Sequence, residues 1–153
     1  MLSITFAVYS EMLNHCRDAL PLEACGYLAA REDTIVRLFR MTNTDLSREH
    51  YSMDPAEQFQ AIKTMRREGL TLAAVYHSHP ETPARPSAED IKLAFDPSVV
   101  YLIVSLLPGA EEVKAYTIRT GQVERKKLVV LRQATVASRA GYQNHEQESP
   151  HGK

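Results

Sequence analysis

Cysteine is scarce: Cys16 and Cys25 are the only two in 153 residues. Two thiols cannot build a disulfide framework, and these lack the paired spacing of a structural zinc site. C-x-x-C is absent, and so is H-E-x-x-H. The first absence removes the zinc nucleobase deaminases, which carry H-x-E with P-C-x-x-C. The second removes a thermolysin-like peptidase. Charge of one sign is also missing: 18 basic and 19 acidic side chains leave a formal net charge of -1. A basic stripe is the usual footprint of a nucleic-acid binder, so no nucleic-acid partner is expected. Arg125-Lys126-Lys127 reads as a solvated strand end. No apolar stretch approaches the roughly 20 residues that span a bilayer, which argues against a membrane protein. The N-terminus shows no signal-peptide pattern. A cytoplasmic location is the resulting expectation.

What remains is ordinary globular chemistry, 44% hydrophobic and 24% charged. A chain of 17.2 kDa supports one domain around one core. Residues 3–7 suit a short strand, and Ser10 is a plausible cap for a helix to about Ala19, with Met12, Leu13, Cys16 and Leu20 at helical spacing. Extended segments follow at about 24–30 and 34–41 around the polar Arg31-Glu32-Asp33 turn. A polar loop then runs from Thr42 to Tyr51. Asp54 as N-cap, Pro55 at the first helical position and Glu57 as capping-box partner predict the next helix. Its apolar face would carry Phe59, Ile62 and Met65, and Gly69 would end it. LTLAAVYHSH reads as a strand, and Ser87 caps another helix carrying Leu93, Ala94 and Phe95. Segments 99–107, 113–119 and 123–131 are further strands. The domain is expected over residues 1–131, with a mobile tail over 132–153. Helices interspersed with strands predict an α/β sandwich around a mixed sheet.

The chemistry concentrates in His77-Ser78-His79-Pro80, followed by Ser87 and Asp90. Residues two apart on a strand share a face, so His77 and His79 can meet one ion while Ser78 points away. Catalytic zinc usually takes three protein ligands and keeps an open position for water. Asp90, in the first turn of the next helix, is a credible third. A hydrolase also needs a general base. Glu23 is the candidate, because it lies just ahead of an apolar strand, although other glutamates could serve. Ser87 could donate a hydrogen bond to a developing oxyanion. Taken singly, Ser87 is a helix cap and Asp90 a favourable charge at a helix N-terminus. His15, His50, His145 and His151 read as structural or exposed.

Glu23, then H-S-H-P, residues 80–86, Ser87, two residues and Asp90 together resemble the signature of the JAMM (MPN-plus) metalloprotease family. The resemblance extends from about residue 2 to 131. It includes Glu-Ala-Cys-Gly-Tyr-Leu, Asn43, Tyr51-Ser-Met-Asp-Pro and Tyr101-Leu-Ile-Val-Ser, in the style of short bacterial and archaeal members. It implies one catalytic Zn2+ on His77, His79 and Asp90, with Glu23 as acid/base and Ser87 as transition-state donor. It implies a mixed sheet flanked by helices, similar to the cytidine-deaminase core. It also implies hydrolysis of a peptide or isopeptide bond after the C-terminal Gly-Gly of a ubiquitin-like or sulfur-carrier protein. That tail could lie along the sheet edge beside the metal as an added strand. Two alternatives stand beside this reading. One is a non-catalytic MPN-type protein-binding scaffold. The other is a structural zinc site, which would need a fourth protein ligand such as Cys25.

Overall fold

The structure, a computed structural model, describes residues 1–132. The expected tail lies outside them apart from Arg132, as do His145 and His151. In chain order the elements are β1 (Leu2–Thr5), α1 (Phe6–Ala19), β2 (Cys25–Arg31), β3 (Thr34–Met41), α2 (Pro55–Glu68) and β4 (Thr71–His79). They are followed by α3 (Ala88–Lys92), β5 (Val100–Ser105), β6 (Glu112–Arg119), β7 (Gln122–Lys126) and β8 (Leu128–Leu131). The eight strands form one mixed sheet in the order β7-β6-β5-β4-β2-β3-β1-β8. This is the α/β class that the pattern predicts.

Several boundaries moved for identifiable reasons. Helix α1 starts at Phe6, not after Ser10, because Thr5 Oγ1 accepts a hydrogen bond from the Val8 N–H at 3.3 Å. Val8, Met12 and Cys16, four apart, are then its buried stripe. Asp54 caps α2 through the Ala56 N–H at 2.9 Å, and Gly69 ends it at φ 71°. No capping box forms there. The Glu57 carboxylate turns instead to Thr42, accepting from its N–H at 2.7 Å and its hydroxyl at 2.8 Å. Phe59 is not on the buried face: it is 63% exposed, and Ala61 and Met65 fill that role. Helix α3 stops at Lys92, leaving Phe95 exposed.

The segment expected as one strand over 123–131 is two. Residues up to Lys126 pair with β6, whereas Leu128–Leu131 pair in parallel with β1 at the other end of the sheet. Only Lys127 separates them. The sheet therefore curls enough to bring the end of β7 within one residue of the start of β8.

Both faces are covered. Helix α1 packs on Leu28, Ala74, Tyr76, Leu102 and Val104. On the opposite face, α2 covers Cys25, Ala29 and Met41, while α3 and the loops around it cover Val75, Tyr101, Ile103 and Ile118. Strand β5 is buried at every residue but its first, as a near-continuous apolar run requires. The Tyr76 ring crosses β2 where only glycine fits: a Cβ on Gly26 would collide with Tyr76 Cε1 and with the Phe39 carbonyl oxygen. Among the described residues, no helix is long and apolar enough to cross a membrane.

Candidate metal centre

Strand β4 carries His77 and His79 on the α2/α3 side, both buried, with Ser78 facing α1. The alternation places them as expected. Helix α3 then returns over the strand end. Its start is fixed by a capping box: Ser87 Oγ accepts from the Asp90 N–H at 3.0 Å, and the Ser87 N–H donates to Asp90 Oδ2 at 2.9 Å. That same Oδ2 lies 3.2 Å from His77 Nε2 and 3.0 Å from His79 Nε2, and the two nitrogens are 3.1 Å apart. Three donors thus form a triangle with edges of 3.0–3.2 Å. Ligands about 2.0 Å from a tetrahedral ion stand roughly 3.3 Å from one another, so the triangle is the right size for zinc.

Charge is balanced around this point. Burial alone would raise the Asp90 carboxyl, but hydrogen bonds from His77, His79 and the Ser87 N–H outweigh it and hold it well below the usual range. Burial would likewise lower His79, yet its contacts with Asp90 and the Pro83 carbonyl leave it raised. The His79 Nδ1–H donates to Pro83 O at 2.8 Å, which leaves Nε2 as the nitrogen facing the triangle.

Glu23 is brought to the same place by backbone contacts. Its N–H donates to Ser47 O at 2.8 Å, and its carbonyl accepts from Asn43 Nδ2 at 3.1 Å. Ala24 is clamped to Ser78, between the two histidines: the Ala24 N–H donates to Ser78 Oγ at 2.8 Å and the Ser78 N–H to Ala24 O at 3.0 Å. The Glu23 side chain is 3% exposed, and its Oε1 has no hydrogen-bond partner within the protein. Burial pushes its carboxyl up to about 8, with His79 opposing and Asp90 adding to the shift. A buried carboxylate oxygen without a partner beside three converging donors suits a site meant to hold an ion and its water.

Cys25 does not join the set. It packs into the α2 core, outside the group of converging donors, and burial there pushes its thiol up to about 12. Among the described residues, His77, His79 and Asp90 form the group of His, Cys, Asp or Glu side chains that could hold a metal ion, with no fourth member. A structural site closed by four ligands is therefore not formed by them.

A cavity of about 440 Å3 opens beside the triangle. His77 and Asp90 border it, Leu72, Val75, Tyr101 and Ile103 form its apolar floor, and residues 50–53 with Leu93 and Phe95 lie along its rim. The expected added strand cannot lie directly beside the ligand strand, because β2 and β5 already pair with both sides of β4. Sequence reasoning missed three supporting residues: Tyr51 against His77, the Pro83 carbonyl and the Ser78 clamp. Ser78 carried a signal in its place between the histidines, and Tyr51 one in the Tyr51-Ser-Met-Asp-Pro segment, neither of which stated a role.

Comparison with known proteins agrees with this geometry. Residues 6–119 match the family described as prokaryotic homologs of the JAB domain. The CysO-cysteine peptidase of Mycobacterium tuberculosis is 35% identical over 136 residues, covering 87% of this chain and 93% of that one. A probable TtuB-protein conjugate cleaving protease of Thermus thermophilus is 35% identical over 132 residues, covering 86% and 84%. A solution structure of a Desulfitobacterium hafniense protein superposes with a TM-score of 0.79 at 45% identity, covering 87% of this chain and 94% of that one. With the H-S-H-P and S-x-x-D positions filled and the match running through most of the domain, this chain belongs to the prokaryotic JAB-domain branch of the JAMM metallopeptidase family.

Proposed function

We propose that this chain is a zinc peptidase that hydrolyses the peptide or isopeptide bond after the C-terminal Gly-Gly of a ubiquitin-like or sulfur-carrier protein. The observation that carries the reading is the donor triangle of His77, His79 and Asp90 beside the buried, partnerless Glu23 carboxylate. One bound Zn2+ would supply a Lewis acid and a water whose pKa falls to about 7. Glu23 takes the proton of the attacking water and returns it to the leaving amine. Its raised proton affinity suits a group that must both accept and give. The Ser87 oxygen is occupied as an acceptor by the Asp90 N–H, so its own proton is available to the developing oxyanion. The carrier tail lies in the cavity between residues 50–53 and α3. The names of the mycobacterial and Thermus relatives support this substrate class. A complete donor set weighs against the scaffold alternative, and two buried free thiols suit a reducing cytoplasm.

The test is cleavage of a Gly-Gly-ending carrier extended by one cysteine or by a lysine-linked peptide, read by mass spectrometry. Zinc-loaded protein should release the extension. Glu23→Gln should keep about one zinc per chain and lose the hundredfold or more that a general base contributes. A fully active Gln variant would remove the acid/base assignment. Intact substrate with zinc-loaded protein across several carriers would favour the scaffold.

A further inference from the structure

We propose that Tyr51 is a positioning residue for the metal centre, holding the His77 imidazole in its ligating orientation by ring contact where no hydrogen bond does so. The inference rests on His77 being a ligand.

The two histidines are supported unequally. His79 is anchored through Nδ1 to the Pro83 carbonyl. His77 Nδ1 is buried and has no partner within the protein. A metal-ligating histidine usually donates its second nitrogen to an acceptor, which fixes ring rotation and tautomer. At His77 that restraint is replaced by a face contact. The Tyr51 ring stacks on the imidazole with centroids 4.8 Å apart and planes 29° from parallel. Rotating the imidazole out of ligating position would drive its edge into the phenol ring. A coordinated imidazole also gains positive character, which the electron-rich face of an aromatic ring favours.

Tyr51 is itself held from both sides. It packs against the cluster of Cys25, Ala29, Met41 and Met65. Its neighbours are tied to Asn43, whose Nδ2 donates to His50 O at 3.0 Å and whose Oδ1 accepts from the Ser52 N–H at 3.2 Å. Asn43 also holds the Glu23 carbonyl. One loop therefore seats the ring on a ligand and fixes the backbone of the candidate base.

The contact uses the ring and not the hydroxyl, which sets the test. Zinc affinity is measured by competition with a chromophoric chelator for the unmutated protein, Tyr51→Phe, Tyr51→Leu and Tyr51→Met, each checked for folding by circular dichroism. Tyr51→Phe should stay within about threefold of the parent, whereas Leu and Met should bind zinc about tenfold or more weakly, the range seen when outer-shell partners are lost. The Met variant serves if the Leu variant does not fold. Ringless variants within about threefold of the parent, or a Phe variant as weak as they are, would overturn the role of the ring alone. A parent protein with no zinc binding that His79→Ala abolishes would overturn the metal assignment, and this role with it.

Discussion

The Ser78 hydroxyl accepts the Ala24 N–H at 2.8 Å, joining the residue between the two candidate ligands to the residue after the candidate base. The oxygen is fully buried, so nothing replaces it if it is removed. Ser78→Ala would strand the Ala24 N–H at a cost of about 1–3 kcal/mol. It leaves both imidazoles untouched. Zinc affinity should therefore hold while turnover falls, because Glu23 loses its register against the histidines. Chelator competition and a cleavage assay on one preparation would separate the two effects. A parallel loss of both would mean that Ser78 supports the strand, not the base.

Ser87 combines two roles that a single substitution removes together. Without its oxygen the Asp90 N–H loses its cap, worth about 0.5–2 kcal/mol, and the Asp90 carboxylate is left with only the residue 87 N–H from the capping box. Ser87→Ala should weaken zinc binding about tenfold, as loss of an outer-shell partner does. At saturating zinc the cap effect is largely restored. The rate deficit that persists there reports the hydroxyl as an oxyanion donor. Full recovery of turnover would leave Ser87 as a cap only.

Much of this site was legible because it rests on local rules. A period of two puts His77 and His79 on one face whatever the fold, and S-x-x-D writes a capping box that aims Asp90 back along its helix. Glu23 was named mainly through the family resemblance, since its position depends on contacts with Ser47, Asn43 and Ser78 that no local pattern encodes. Tyr51 was invisible as a ligand support for the same reason. Among the elements, Thr5 outcompeted Ser10 as a cap because Val8 extends the buried stripe by one turn. The Glu57 carboxylate found a nearby backbone donor in Thr42, and tertiary partners of that kind leave no trace in spacing. The split at Lys127 depends on where the far edge of the sheet ends up.

His15 should make stability depend on pH. Its ring contacts the Tyr76 hydroxyl in the core, and burial, aided by Arg40, lowers it to about 4 from 6.5. Between those values the unfolded chain binds a proton that the folded chain refuses. The stabilisation is complete above pH 6.5 and is lost as pH falls toward 4, by up to about 3 kcal/mol. His15→Gln should flatten the denaturation midpoint across that window relative to the parent. An unchanged slope would assign the acid sensitivity to other groups.

Gly26→Ala should be among the costliest single-methyl additions in the fold. The new Cβ meets a tyrosine ring on one side and a carbonyl oxygen on the other, both closer than 3 Å. Neither is the end of a flexible chain, so β2 must shift, at about 1–3 kcal/mol for overpacking of this kind. Urea denaturation would measure it. A loss below about 0.5 kcal/mol, the usual range for surface changes, would show that Tyr76 can move aside.

Lys127 is the seam of the curled sheet, and its shortness has a mechanical consequence. Two chain steps reach no more than about 7.6 Å, so strands at opposite ends of the sheet order cannot separate without breaking their ladders. Exposed strand edges are where sheets fray and where foreign chains add on. Here each edge is tethered to the other by the polypeptide itself. Strand β4 lies fourth from one end of the order and fifth from the other. The histidines thus sit near the middle of the strand order, with at least three strands between them and either edge.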